Sequence, residues 1–229
     1  MTLSAVIVGP GKMGRTIADL WRGRGHEIRY ALGRDDDLDA ARSASVAFEF
    51  TRPDAAADNV TDLLRMGVPT VCGTTGWDPE PVSRLADELA VPLLVAANFS
   101  IGIAVLKAAV DEVARRLAAF EEFEPGVFER HHRQKLDSPS GTARMLSRVI
   151  EESAGSLPPV AALRQGGQPG EHRVIFEGAE ESLELVHRAR SRRIFALGAV
   201  RAAEWLVASG ERGSVSFQRF VEQAGADHA

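Results

Sequence analysis

The sequence predicts an α/β fold with a parallel sheet over the first hundred residues, followed by an α+β segment. Three observations carry this reading. Short apolar runs alternate with amphipathic stretches up to Asn98, the rhythm of βαβ crossovers. Beyond Asn98 the alternation ends and strand-like runs come in succession, and a glycine triplet follows the first apolar run directly.

Taken in order, LSAVIVG (3–9) is an apolar strand, and the stretch from Lys12 to about Arg24 has helical spacing at Met13, Ile17, Leu20 and Trp21. EIRYAL (27–32), VAFEF (46–50), VPTVCG (68–73) and PLLVAA (92–97) read as further strands, with helical stretches at 54–66 and 79–90 between the later ones. A helix is then expected from about Ile101 to Ala119, a turn at Pro125-Gly126, a strand at VFERHH and a helix over 139–153. SLPPVAALRQGGQPGEH reads as a Pro/Gly-rich loop, and RVIFEG (173–178) and SLELVHRA (182–189) as strands. Phe195, Ala199, Ala202, Trp205 and Leu206 space a last helix over 194–209, one that could return to the first domain; the chain ends in the polar AGADHA (224–229).

With 229 residues, 45% hydrophobic and 26% charged, the chain suits one large compact domain or two small ones. With a net charge of -5 nothing suggests wholesale binding to nucleic acid or membrane, and any anion site must be a local cluster. The lone Cys72 excludes an internal disulfide and a cysteine-built metal site. No signal peptide and no apolar run of about 18 residues is present, which makes the cytoplasm the expected location.

Gly9, Gly11 and Gly14 form G-x-G-x-x-G between a strand and a helix, the setting in which this motif binds a dinucleotide. Glycine allows the tight turn and the close approach of pyrophosphate, and Lys12 and Met13 open a helix whose free amides favour an anion. The bland reading, glycines that merely turn the chain, fits the βαβ context less well. The second strand ends YALGRDDD: Arg34 at its end would favour NADP, whereas Asp35 in the same place would favour NAD, so NADPH and NADH both stay open. FTRP (50–53), GTTG (73–76) and ANFS (97–100) follow the carboxyl ends of strands, the edge where open α/β sheets bind ligands. They add Phe50, Thr51, Gly73, Thr74, Thr75, Ala97, Asn98 and Phe99 to the candidate cofactor residues.

The stretch ERHHRQKLDSPSGTA (129–143) gathers cations ahead of a helix start. Asp137 or Ser138 is the expected N-cap with Pro139 at the first helical position, leaving the amides of Ser140, Gly141 and Thr142 to an anion. Lys135 and Arg133 add full charges, and a carboxylate is the natural guest. His131 and His132 are consecutive and face opposite sides of a strand, so they cannot share one metal and no metal site is expected. One of them suits a general acid near neutrality and the other a hydrogen bond to substrate.

This stretch closely resembles the signature of the 4-hydroxy-tetrahydrodipicolinate (dihydrodipicolinate) reductase family, and the likeness extends through FTRP, GTTG, AANFSIG, GEHRVIFEG and SRRIFALGAVRAAEWL. The resemblance implies a Rossmann-type domain over 1–100 and 193–229, and a substrate-binding and oligomerisation domain over 101–192 whose open mixed sheet assembles a homotetramer. It implies a nicotinamide-dependent reduction of a small cyclic dicarboxylate in lysine and diaminopimelate synthesis. His131 matches the family's proton donor and joins Lys135 as the catalytic pair; His132, Gly141, Thr142 and Arg192 match substrate-binding positions. The glycine loop GPGKMG is one residue shorter than the family's usual form, and the segment from Arg34 to Val46 is abbreviated. Two other readings compete: a related dehydrogenase acting on an open-chain amino-acid-like acid, and a non-catalytic dinucleotide sensor. The sensor reading assigns no role to His131 or Lys135.

Overall fold

The computed structural model describes residues 1–226. They divide into two compact units, one of residues 1–100 with 193 onward and one of Ile101–Arg192.

In the first unit, β1 (Ser4–Val8), β2 (Glu27–Leu32), β3 (Val46–Glu49), β4 (Thr70–Cys72) and β5 (Leu93–Val95) form a sheet with β10 (Ser214–Val215) in the order β10-β5-β4-β3-β1-β2. Every pairing is parallel, as the alternating rhythm predicts. β1, β3 and β4 are buried along their whole length, because helices cover both faces of such a sheet. α1 (Lys12–Gly23) contributes Ile17, Leu20 and Trp21 to the core, with Trp21 fully buried edge-on to Phe48. α2 (Pro53–Arg65) and α3 (Glu80–Leu89) bury Val60, Leu64, Val82 and Ala86 with Cys72 and Leu93. A 3-10 helix, Leu38–Ser43, spans the abbreviated segment that has no assigned structure in the sequence reading.

α6 (Arg193–Ala208) belongs to this unit and packs against α1 and β4. Gly198 permits the approach: a Cβ there would lie 1.8 Å from the Phe99 carbonyl oxygen. Glu204 of the same helix takes a bidentate pair from Arg24, at 2.6 and 2.8 Å, and a third contact from His26 at 2.9 Å. β10 and α7 (Phe217–Ala226) extend the unit past the helix expected to be last, so part of the polar end AGADHA is helical, while residues 227–229 lie outside those described.

The second unit holds α4 (Ile101–Leu117), β6 (Glu124–His131), α5 (Gly141–Ala154), β7 (Val160–Arg164), β8 (Gly170–Glu177) and β9 (Ser182–Ala189). Its sheet is mixed, in the order β7-β6-β8-β9, with β6 parallel to β7 and antiparallel to β8. Two expectations are corrected here. Pro125-Gly126 does not turn the chain but lies within β6, since the residue has no ladder donor to lose at the start of a strand. VAALR, read as loop, is the edge strand β7, whose weak alternation reflects one exposed edge. Val127, Val174 and Phe176 face α4 and α5 and form the core with Leu106, Val110, Leu146 and Ile150. The opposite face carries Phe128, Leu163, Ile175 and Val186, with Glu171 ringed by Arg130, Arg173 and Arg188.

Candidate active site

Two sites emerge, one in each unit. At the carboxyl end of β1 the glycine motif is fully accounted for by geometry. Gly9 has φ +93°, and a Cβ on it would come within 2.4 Å of the Phe50 carbonyl oxygen; one on Gly14 would lie 2.3 Å from the Gly9 oxygen. Gly11 has nothing within 4 Å of that position, so its backbone is open to a guest. It is also the N-cap of α1 and provides no side-chain cap, which leaves the first amides, beside Lys12 and Met13, for an anion. The residues therefore fit a pyrophosphate. The sheet order reverses between β1 and β3, the switch point at which such sheets bind ligands.

Glu49, the last residue of β3, is fully buried there and was missed by the sequence reading. It accepts hydrogen bonds from Thr74 Oγ1 at 2.6 Å, Cys72 Sγ at 3.2 Å, Asn59 Nδ2 at 3.3 Å and Thr51 Oγ1. Every partner is a neutral donor. FTRP and GTTG are thus tied together beneath the cofactor edge, and Gly73 leaves room for the Phe50 ring, which a Cβ would strike at 2.1 Å. Burial and the neighbouring Glu49 push the Cys72 thiol up, so it is not a nucleophile at neutral pH. Ala97 is exposed and Asn98 half-buried, its Oδ1 accepting from the Ser100 amide at 2.8 Å, while Phe99 is buried against Phe50 and Phe217. Thr75 is exposed. Arg34 is exposed just past β2, and Asp36 turns back to accept from the Gly33 amide at 2.7 Å.

In the second unit, β6 and α5 build a cluster around His131, which is 7% exposed. Glu129, two residues earlier on the same strand face, is fully buried with Oε2 against His131 Nδ1. Its Oε1 accepts from the Ser140 amide at 2.9 Å and Arg164 Nη2 at 2.7 Å. Cross-strand pairing places His172 opposite Glu129 and Arg164 opposite His131. The His131 and His172 rings meet edge to face with centroids 5.0 Å apart. Gly170 keeps space at the other end of the His131 ring, where a Cβ would stand 3.0 Å from Nε2.

Burial lowers His131 below the ordinary imidazole value; Glu129 opposes that shift, and Lys135 and Arg164 add to it. Burial and the His131 charge bring His172 down to about 4. For Glu129 burial acts upward, but the Arg164 and Ser140 hydrogen bonds prevail and hold the carboxyl low. Glu129, His131 and His172 offer ligand atoms within 4.8 Å of one another, a spacing a metal could use. A guanidinium 2.7 Å from the same carboxylate opposes a dication, and we read the trio as an acid-imidazole cluster.

The helix start departs from expectation. Ser140, not Asp137 or Ser138, is the N-cap of α5, its Oγ accepting from the Ala143 amide at 3.2 Å; Pro139 lies outside the helix. The Ser140 amide is not left to an anion, because Glu129 takes it. Gly141 is exposed and Thr142 half-buried at the first turn. Lys135 Nζ pairs with Asp137 at 2.6 Å, and Lys135 with the Gly141 amide holds the Asp137 carboxyl low. His132 is half-buried, Arg133 exposed, and Arg192 exposed on the turn ahead of α6 without a hydrogen bond or ion pair among the described residues. The structure therefore gathers His131, Lys135 and the α5 start in the second unit, supplies Glu129, Arg164 and His172, which sequence reasoning left without roles, and gives the Ser140 amide to Glu129 instead of a guest. GEH, within the GEHRVIFEG run of the resemblance, was the one available signal for His172.

A parallel sheet with a glycine cradle at its switch point, and an acid-imidazole cluster beside a helix start, define the class: a nicotinamide-dinucleotide-dependent oxidoreductase. Two family models match, "Dihydrodipicolinate reductase, N-terminus" over residues 3–99 and "Dihydrodipicolinate reductase, C-terminus" over 102–221. The chain belongs to the dihydrodipicolinate reductase family. It is similar to the 4-hydroxy-tetrahydrodipicolinate reductase of Christiangramia forsetii, 35% identical over 89% of this chain and 92% of that protein. A second relative of that name, from Acidiphilium cryptum, is 38% identical over 86% of this chain and 88% of its own. A solved dipicolinate-bound dihydrodipicolinate reductase from Paenisporosarcina sp. TG-14 shares the fold with a TM-score of 0.75, at 23% identity over 94% of this chain and 98% of that one. Among the described residues no helix is long and apolar enough to cross a membrane.

Proposed function

We propose that this chain reduces 4-hydroxy-tetrahydrodipicolinate, by way of dihydrodipicolinate, to tetrahydrodipicolinate in lysine and diaminopimelate synthesis, in the cytoplasm. One observation carries the reading: a buried imidazole, His131, in the same unit as a lysine and a helix start suited to carboxylates. Gly9, Gly11, Lys12, Met13 and Gly14 would hold the pyrophosphate of the dinucleotide and the FTRP, GTTG and ANFS loops the rest of it, and the bound cofactor would supply a hydride for C4 of the ring. Electron density left at C3 requires a proton, and His131 donates it. Lys135 with the Gly141 and Thr142 amides holds one ring carboxylate, while His132 and Arg192 bind the rest of the dicarboxylate. A substrate with two negative charges raises the His131 pKa as it binds, offsetting the fall caused by burial.

NADPH and NADH are both candidates, since the exposed Arg34 guanidinium suits a 2′-phosphate and the neighbouring exposed Asp35 suits free ribose hydroxyls, while Asp36 is committed to the Gly33 amide. The open face of the second sheet, bearing Phe128, Leu163, Ile175 and Val186 beside the Glu171–arginine cluster, is the surface through which four copies assemble; solution mass tests it. Activity is tested by following NADH and NADPH oxidation with substrate freshly generated from pyruvate and aspartate semialdehyde. Wild type oxidises at least one cofactor, and His131→Ala and Lys135→Ala each lose about a hundredfold or more while still binding it. No turnover with either cofactor, or full activity in both variants, refutes the assignment.

A further inference from the structure

We propose that Glu129 is the positioning residue of this site: it holds the Nδ1 side of His131, so that the proton leaves from Nε2, and joins that proton donor to the start of the carboxylate-binding helix. The inference rests on the reading of His131 as proton donor and concerns how the donor is held.

Glu129 and His131 are two residues apart on β6 and share the sheet face that looks toward α5. The carboxylate is fully buried and divides its two oxygens between two tasks. Oε2 lies against His131 Nδ1, while Oε1 receives the Ser140 amide at 2.9 Å and Arg164 at 2.7 Å. An acceptor-only group on Nδ1 selects the tautomer with hydrogen on that nitrogen and leaves Nε2 as the basic, exchanging atom. At the opposite end of the ring, Gly170 is the residue whose lack of a side chain leaves Nε2 clear.

The other neighbours do not compete for this role. Ser140 Oγ accepts from the Ala143 amide, so its own hydrogen is free for His172 Nε2 at 3.3 Å, which makes His172 a neutral acceptor. Arg164 and Lys135 are cations and offer Nδ1 nothing to donate to. Of the charged groups acting on His131, Glu129 alone raises its proton affinity. The same carboxylate fixes the register of strand against helix, because Ser140 is at once its amide donor and the N-cap of α5.

Nitrogen-15 NMR of the full chain reads the tautomer of the His131 ring without any turnover. Wild type above pH 7.5 shows hydrogen on Nδ1. Glu129→Gln, whose amide can donate to Nδ1, shifts the ring toward hydrogen on Nε2, moves the alkaline limb of kcat/KM to lower pH by about one unit, and lowers kcat more than tenfold with cofactor affinity unchanged. Glu129→Asp keeps the charge and retains the wild-type tautomer. Hydrogen on Nε2 in wild type overturns the proposal even if no variant folds, as does a folded Glu129→Gln with an unmoved tautomer and pH limb. A merely structural carboxylate would lower the melting temperature and leave both unmoved. Should His131→Ala stay active, the proton-donor reading fails while the tautomer result stands separately.

Discussion

The backbone amide of Thr51 donates to the Thr74 hydroxyl at 2.8 Å. Because that oxygen already accepts, its own hydrogen points to Glu49 at 2.6 Å, and Asn59, which donates to Thr51 Oγ1 at 3.4 Å, orients that hydroxyl the same way. Glu49 thus accepts from four neutral donors among the described residues. It binds two cofactor-edge loops into one piece.

Glu49→Gln replaces an acceptor oxygen with a donor NH2, which must face a hydroxyl or thiol hydrogen. One buried donor loses its partner, at a cost of about 1–3 kcal/mol. A fall of that size in unfolding free energy, measured by urea titration, should accompany weaker NADPH binding by calorimetry. Unchanged values of both would show that the shell does not order the loops.

Asp137 stands where a substrate carboxylate is expected, on Lys135 and the Gly141 amide. A guest must therefore displace the chain's own carboxylate. The pair is partly exposed, with 25% and 45% of the two side chains accessible, so the competition is worth no more than about 1 kcal/mol. Asp137→Asn should tighten binding of pyridine-2,6-dicarboxylate by up to about fivefold in calorimetric titration. Weaker binding would instead make Asp137 part of the cradle's support.

Local signals made the first unit legible. The glycine triplet, its flanking strand and the helical spacing of Phe195 to Leu206 depend on neighbours within a few residues, and each has a counterpart in the structure. What escaped depends on pairing across long separations. Arg164 meets Glu129 because β7 pairs with β6 in a register no local pattern encodes, and β7 itself hides among Pro and Gly residues. Ser140 outcompetes Asp137 as N-cap because Glu129 anchors its amide from 11 residues away. The site's histidine and lysine could be read from one short stretch, but the carboxylate that organises them had no visible partner until the strands were aligned.

His172 predicts an acid-sensitive fold. Its pKa, brought down from 6.5 to about 4 by burial and His131, means that the unfolded chain takes up this proton first. The contribution to stability is complete above about pH 6.5 and is lost as pH falls toward 4, to a total of about 3 kcal/mol. Thermal unfolding between pH 7 and 4 should show this slope in wild type and a shallower one in His172→Gln. Equal slopes would place the acid sensitivity elsewhere, for example in the carboxyls of Glu129 and Glu204, which titrate lower.

The pH dependence of turnover should differ between its two constants. In the free protein burial lowers His131 below the ordinary imidazole value, so the protonated donor is scarce at neutrality and kcat/KM should already decline as pH rises toward neutrality. A bound dicarboxylate adds negative charge near the ring, so the alkaline limb of kcat should lie at higher pH than that of kcat/KM. Lys135→Met removes a cation that lowers the His131 pKa, so the kcat/KM limb should move up in this variant even as substrate affinity falls. Coincident limbs for the two constants in wild type would mean that substrate binding does not recruit the proton, and that the donor is another group.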